Sequence, residues 1–212
     1  MKKIMFNDKY CLTFAVLAGN KTMTRRVLKV PKTCNGKEVY SFNILTNNAG
    51  TQCVDLVDEN GGVLDSWKPH YEVGEVVAIA QSYKEVYPNA DFEMVGNGFM
   101  TESAGWNNKM FIRANLMKRH IRITDVKVEH LQDISDKECL REGVKRASIG
   151  FYAEGVRVKD CEKEAHRETA SGCLKLFPFP RPAFASLINK ISGKGTWESN
   201  PWVVAYSFEL ID

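Results

Sequence analysis

Residues 121–144, IRITDVKVEHLQDISDKECLREGV, place a strand and a helix in one unbroken run. From Ile121 to Glu129 apolar and polar side chains alternate, the period-two pattern of a strand buried on one face. Ser135 followed three positions later by Glu138 then spells a capping box, and Gly143 is the matching stop, so a short helix of about two turns is predicted. Glu142 falls at its C-terminal end. The helix dipole disfavours a carboxylate there, which points to a role beyond helix stability, although an exposed Glu at a helix end is the plain alternative.

Downstream, residues 145–180 read as irregular and charged, ending in the stiff Phe177–Pro182 run, FPFPRP. A second helix is predicted from Ala183 to Ile191, introduced by Pro182 and closed by Gly193, with a terminal strand from Val203 to Ile211. Upstream, Ile4–Phe6 suits a short strand. Asn7 or Asp8 can cap a helix over Lys9–Ala18 with an inner stripe of Cys11, Leu12, Ala15, Val16 and Ala18. Residues 30–70 are punctuated by Pro, Gly and Asn, and the alternating stretches Val39–Ile44 and Cys53–Val57 between them read as hairpin strands of a β-insertion. Val76–Ala80 is a continuous apolar run after the Gly74 turn, hence a buried strand. Val86–Asn108 reads as a long loop, and Phe111–Ala114 as a strand. The order suits an α+β fold around a small curved sheet or barrel.

The 212 residues are 44% hydrophobic and 26% charged with net charge +3, the profile of a soluble globular protein that permits an anionic partner without demanding one. No stretch approaches a membrane span and no apolar leader opens the chain, so a reduced, cytoplasmic protein with no membrane partner is expected. The six cysteines are scattered without a C-x-x-C pair. Cys161, His166 and Cys173 lie near one another but lack regular ligand spacing, so no metal and no cofactor is expected. Residues 109–122 carry Lys109, Arg113, Lys118, Arg119 and Arg122 with no acid, either a basic strip for nucleic acid or a solvated strand face.

The densest set of functional groups lies at Phe14–Arg26, FAVLAGNKTMTRR. An apolar run stops at Gly19 and releases Lys21, Thr22, Thr24, Arg25 and Arg26 into a loop fixed by a helix end, a favoured place for binding and catalytic groups. Trp67, Tyr83, Trp106 and Trp202 are candidate base-stacking platforms, with Trp106 in the Gly/Asn-rich loop the best placed for exposure and Trp202 better suited to the core.

Four blocks in order, LAGNKTMTRR, YEVGEVVAI, ITDVKVEHLQDISDKECLREGV and WESNPWVVAYSFELI, resemble the ASCH proteins of the PUA-like superfamily, in particular the longer phage and prophage versions. The resemblance spans nearly the whole chain as a single domain over 1–212, with variable insertions at about 30–68, 84–110 and 146–180. It implies a PUA-like mixed β-barrel with flanking helices, and binding of RNA or nucleotides in a cleft beside the GNKTMTRR loop. Small members of the family are regarded as amidohydrolases that remove an acyl group from the exocyclic amine of cytidine. By that resemblance the catalytic Lys, Thr and Glu fall on Lys21, Thr24 and Glu142. Two departures accompany it: Arg25 and Arg26 follow Thr24 directly, and Gln81 stands where long relatives often carry a carboxylate.

The chemistry can be tested from the residues. An amide hydrolase needs a nucleophile, a base and an oxyanion donor. The Thr24 hydroxyl can supply the first. Lys21 can supply the second only if its amine is partly neutral, which burial and Arg25 and Arg26 favour and Glu142 opposes. The plainer alternative makes Lys21–Glu142 a salt bridge, leaves Thr22 and Thr24 satisfying a turn, and gives Arg25 and Arg26 phosphates to hold. The expected nucleic-acid set is Lys21, Thr22, Arg25, Arg26, Arg113, Lys118, Arg119 and Trp106, and the expected partner is RNA or a modified nucleoside.

Overall fold

The computed structural model describes residues 1–158 and 174–212. Strands β1 (Lys3–Ile4), β2 (Met23–Val27), β3 (Ser41–Thr46), β4 (Gln52–Val57), β5 (Val63–Trp67), β6 (Val76–Ile79), β7 (His120–His130) and β8 (Trp202–Leu210) form the two larger sheets. The central one runs β1-β6-β7-β8-β2, parallel at β1/β6 and antiparallel elsewhere. β3, β4 and β5 form an antiparallel meander, the expected insertion, tied to β7 by the Thr51–Val126 bridge and by Gln52 Oε1, which accepts from the Val128 amide at 2.6 Å. The helices are α1 (Leu12–Leu17), α2 (Tyr83–Val86), α3 (Asp136–Arg141) and α4 (Pro180–Ser192). Ile4, Val77, Ile79, Ile121, Ile123 and Phe208 of the central sheet join Leu12 and Val16 of α1 and Phe184 and Leu187 of α4 in one core cluster.

The α+β class holds, but the PUA-like barrel does not: the central sheet is open, and no sheet closes or curls strongly. The ladder ends at β1 and β2, which share no backbone hydrogen bond. The reason lies in who takes the outward carbonyls of the first strand. Tyr71 Oη donates to the Lys3 carbonyl at 2.8 Å and Arg26 Nη2 donates to the Met5 carbonyl at 2.5 Å, so side chains occupy the acceptors that closure would need.

Other expectations shift for local reasons. The helix predicted over Lys9–Ala18 splits into a 3-10 turn, Asp8–Tyr10, and α1, because Cys11 takes a left-handed conformation at φ 52°. Asn7 caps the 3-10 turn, accepting from the Lys9 amide at 3.1 Å, and not α1, whose N-cap Cys11 makes no side-chain cap; Cys11 and Ala18 also fall outside the buried stripe. Phe111–Ala114 is no strand: two 3-10 turns, Lys109–Phe111 and Ala114–Leu116, replace it, the first capped by Asn108. The expected loop over Val86–Asn108 follows α2 and contains a small hairpin pairing Met94–Val95 with Gly98–Phe99 and a 3-10 turn, Met100–Glu102. β7 does not keep one phase. A register shift between Ile123 and Asp125 turns the strand over, so Ile121 and Ile123 before it, and Val126 and Val128 after it, are all buried. α4 starts at Pro180, three residues earlier than predicted, while α3 and β8 match within about a residue or two.

α3 is capped reciprocally, Ser135 Oγ accepting from the Glu138 amide and Glu138 Oε2 from the Ser135 amide at 2.9 Å. It ends where Gly143 turns at φ 105°, beside the loop of interest. A Cβ at Gly143 would lie 3.2 Å from Leu12 Cδ2 and 3.8 Å from Lys21 Cδ. Gly143→Ala is therefore expected to cost about 1–3 kcal/mol through backbone strain and crowding. Urea denaturation measures it, and an unchanged midpoint would count against this account of the α3 terminus.

Candidate functional site

The loop after α1 is clamped from three sides. Gly19, at φ 70°, lets the chain reverse so that the amides of Asn20 and Lys21 both donate to the Ala15 carbonyl, at 2.8 and 2.9 Å. Thr22 is stitched to α3: its amide donates to the Arg141 carbonyl at 2.9 Å, and Arg141 Nε donates to Thr22 Oγ1 at 3.1 Å. The Phe208 amide of β8 donates to the Thr22 carbonyl at 2.9 Å. Thr22 therefore joins loop, helix and sheet and is committed to the backbone.

Lys21 is buried. Its ammonium donates to the Met23 carbonyl (2.7 Å), the Glu142 carbonyl (2.8 Å) and Glu142 Oε2 (2.7 Å), so each of its three protons has an acceptor. The Glu142 carboxylate and carbonyl thus sit where α3 runs out of internal donors, and Lys21 supplies them from outside. Its placement at the helix end, unfavourable for the helix alone, is explained by this partner.

Arg25 is equally buried and extends the cluster. Its Nε and Nη2 both donate to Glu129 Oε1, at 3.0 and 2.6 Å, while Nη1 donates to Glu142 Oε1 at 3.2 Å and Nη2 lies 3.3 Å from Glu138 Oε2. Lys127 Nζ reaches the second Glu129 oxygen at 2.5 Å, an ion pair off the line of a directed hydrogen bond. Three cations (Lys21, Arg25, Lys127) thus face three carboxylates (Glu129, Glu138, Glu142), and the cluster is neutral as a whole. Burial pulls the Arg25 pKa down, but Glu142 and Glu129 outweigh it and the net shift is upward. At Lys21 burial wins: the pKa is lowered, with Glu142 opposing through charge and hydrogen bond, and Arg26 and Arg25 adding to the fall. Burial works against the Glu138 carboxylate, yet the Ser135 amide and hydroxyl, with Arg25, bring its pKa below the ordinary value.

β2 and α4 enclose a cavity of about 650 Å³ beside this cluster. One wall is polar, from Lys21, Thr24, Arg25, Arg26, Lys29 and Glu142; the other is apolar, from Phe184, Leu187, Ile188 and Ile191 of α4. Thr24 is buried, and its hydroxyl makes no side-chain hydrogen bond among the described residues. Arg26 and Lys29 are exposed and have no carboxylate partner among the described residues, whereas Lys21 and Arg25 are fully matched. The arrangement can hold an anion against the outer cations and a flat apolar group against α4.

The structure therefore brings Lys21, Thr24, Arg25, Arg26 and Glu142 to one cavity. It does not bring the rest of the expected set there. Arg113, Lys118 and Arg119 are exposed but line neither this cavity nor its neighbour, and Lys118 instead sits 4.3 Å over the Tyr87 ring. Lys109 pairs with Asp8 at 2.7 Å and Arg122 lies 3.8 Å from Glu209, so the stretch 109–122 is not one uninterrupted cationic strip. Trp106 is half-buried against a second core cluster that contains Tyr83. Trp202 stacks on His130 at 3.9 Å. Trp67 alone of the four proposed platforms lines a cavity next to Arg26. Cys161, His166 and Cys173 lie outside the described residues; among the described ones no group of three or more His, Cys, Asp or Glu is arranged for a metal. No helix there is long and apolar enough to cross a membrane. Glu129 and Glu138 were not anticipated as part of the site. Glu129 carries no local signal, since it alternates with Val128 as an outward polar residue would, and only its burial in the fold reveals the need for a cation.

No family model matches the chain, and neither a curated protein nor a solved structure does. With the barrel also absent, the ASCH and PUA-like expectation is withdrawn, and any functional reading has to rest on the residues themselves.

Removing one member of a buried ion cluster strands its partners. Lys21→Ala and Glu142→Ala are each expected to destabilise by about 3–5 kcal/mol, and the double variant by less than the sum. A double-mutant cycle by urea denaturation measures this; single losses under about 1 kcal/mol would reduce the pair to the value of a surface contact.

Proposed function

We propose that the chain binds a nucleotide or single-stranded RNA in the cavity between β2 and α4. The observation that supports this is the division of labour among adjacent cations. Lys21 and Arg25 are consumed by buried carboxylates, while Arg26 and Lys29 meet the same cavity with their charge unmatched among the described residues. An apolar wall facing two free cations suits a ring that carries a phosphate. Glu142 is the cavity's one carboxylate, and it is spoken for by Lys21 and Arg25, so the anion meets no uncompensated negative charge.

A hydrolase reading has its own support: the free Thr24 hydroxyl shares the cavity with the Lys21–Glu142 pair. Against it stands the hydrogen bonding of Lys21, whose three protons are all committed and whose amine therefore offers no lone pair to the hydroxyl. Binding is the better supported of the two.

Fluorescence anisotropy with a labelled single-stranded RNA over a salt series tests the proposal. Arg26→Ala is expected to weaken binding and to lower the slope of log affinity against log salt by about 1. Thr24→Ala is expected to leave affinity within about twofold, that is within about half a kcal/mol. No binding by folded wild type to RNA or mononucleotides would overturn the proposal. Release of cytidine from N4-acetylcytidine by the wild type, abolished in Thr24→Ala, would put the hydrolase in its place.

A further inference from the structure

A second cavity, also of about 650 Å³, adjoins the first and shares Met5, Arg26 and Val27 with it. Its walls include Lys2, Lys3, Trp67, His70, Tyr71 and Tyr206; no carboxylate is among its described lining residues, although Lys2 is paired with Glu75 at 3.0 Å. The register of β2 on β8 explains the adjacency. Thr24 lies opposite Tyr206 and Arg26 opposite Val204, so these four residues share one face of the sheet, with Thr24 lining the first cavity, Val204 and Tyr206 the second, and Arg26 both. The gap left by the unclosed ladder between β1 and β2 is where the second cavity opens, and the Arg26 side chain spans it to the Met5 carbonyl.

We propose that the two cavities are successive subsites for a dinucleotide unit, with its bridging phosphate on Arg26, one ring against α4 and the other against Trp67 and Tyr71. This rests on the nucleotide reading of the first cavity and adds to it the minimum length of the ligand. Three features support it. Arg26 uses one guanidinium nitrogen on Met5, leaving further donors for a phosphate oxygen between the cavities. The ammonium of Lys3 donates only to the carbonyls of Met110 and Ile112, at 2.6 and 2.9 Å, so its charge has no carboxylate partner among the described residues. The two phenols are also neutral: burial pushes that of Tyr71 up to about 12 and raises that of Tyr206, so neither adds negative charge beside a phosphate. An aromatic wall behind cations is the arrangement that stacks a base while its backbone is held electrostatically.

Isothermal titration calorimetry with the four ribonucleoside 5′-monophosphates and the matching 5′-phosphorylated homodinucleotides tests this. Wild type is expected to bind at least one dinucleotide about tenfold or more tighter than its mononucleotide, the gain of one stacked base. Trp67→Ala is expected to erase that gain and leave mononucleotide affinity unchanged. Should Trp67→Ala not fold, Lys3→Ala, at the second-cavity lysine without a carboxylate partner among the described residues, is expected to reduce dinucleotide binding about threefold with no effect on the mononucleotide. Equal affinity of mono- and dinucleotides for the wild type would overturn the two-subsite inference while leaving nucleotide binding in place. A dinucleotide gain that survives both variants would overturn it as well. Absence of binding by either ligand class would remove the parent reading with it.

Discussion

The Arg25 guanidinium is the hinge on which this arrangement turns. It is sealed from solvent against carboxylates from β7 and α3, and charges so placed are tolerable only because each meets a counter-charge at hydrogen-bond distance. That requirement fixes distances between elements far apart in sequence: β2, the end of β7 and α3 with its C-terminal Glu142. Because a strand alternates, pointing Arg25 inward obliges Arg26 and Thr24 to point to the opposite face. Two adjacent arginines thereby acquire opposite tasks, one holding the sheet to the helix and the other left for the surroundings.

The buried cluster also limits what chemistry the loop can perform. A lysine becomes a base by keeping its amine neutral with a lone pair directed at the proton to be removed. Lys21 has the burial for a lowered pKa but spends every donor on acceptors that favour the charged form. Sharing a cavity with a free hydroxyl, it resembles a catalytic pair in composition, while its hydrogen bonding is that of a structural ammonium. Composition and geometry diverge here, and geometry decides the role.

Much of the scaffold was legible from local signals. The Ser135–Glu138 box, the Gly143 stop, the β8 run and the meander between residues 30 and 70 each rest on short-range chemistry that holds whatever surrounds it. Lys21–Arg26 was also recognisable as a concentration of functional groups, although the expected loop covers only Lys21 and Thr22 and the rest lies on strand β2, and Glu142 stood out by its awkward place on the helix dipole. What could not be read was anything set by a partner distant in sequence. Nothing local to Arg25 says that Glu129 will neutralise it, and nothing local to Trp106 says that it will pack beside Tyr83. The bulge in β7 has a local signal too: apolar positions 121 and 123 give way to 126 and 128, and the two successive polar residues Thr124 and Asp125 mark the change of phase that a reading of unbroken alternation passes over. Closure of the sheet was misjudged because it depends on whether the first strand offers free carbonyls to β2, and Tyr71 and Arg26 had taken them.

Those two side chains have a consequence for the molecule in a crowded solution. An open sheet ends in rows of backbone groups able to recruit a strand from another copy, the common seed of ordered aggregates. Along β1 and the residue after it the acceptors at Lys3 and Met5 are already satisfied by a phenol and a guanidinium, so an incoming strand would have to displace both to complete a ladder. Part of the protection against self-templating is thus supplied by two long side chains folded over the acceptors of a two-residue strand.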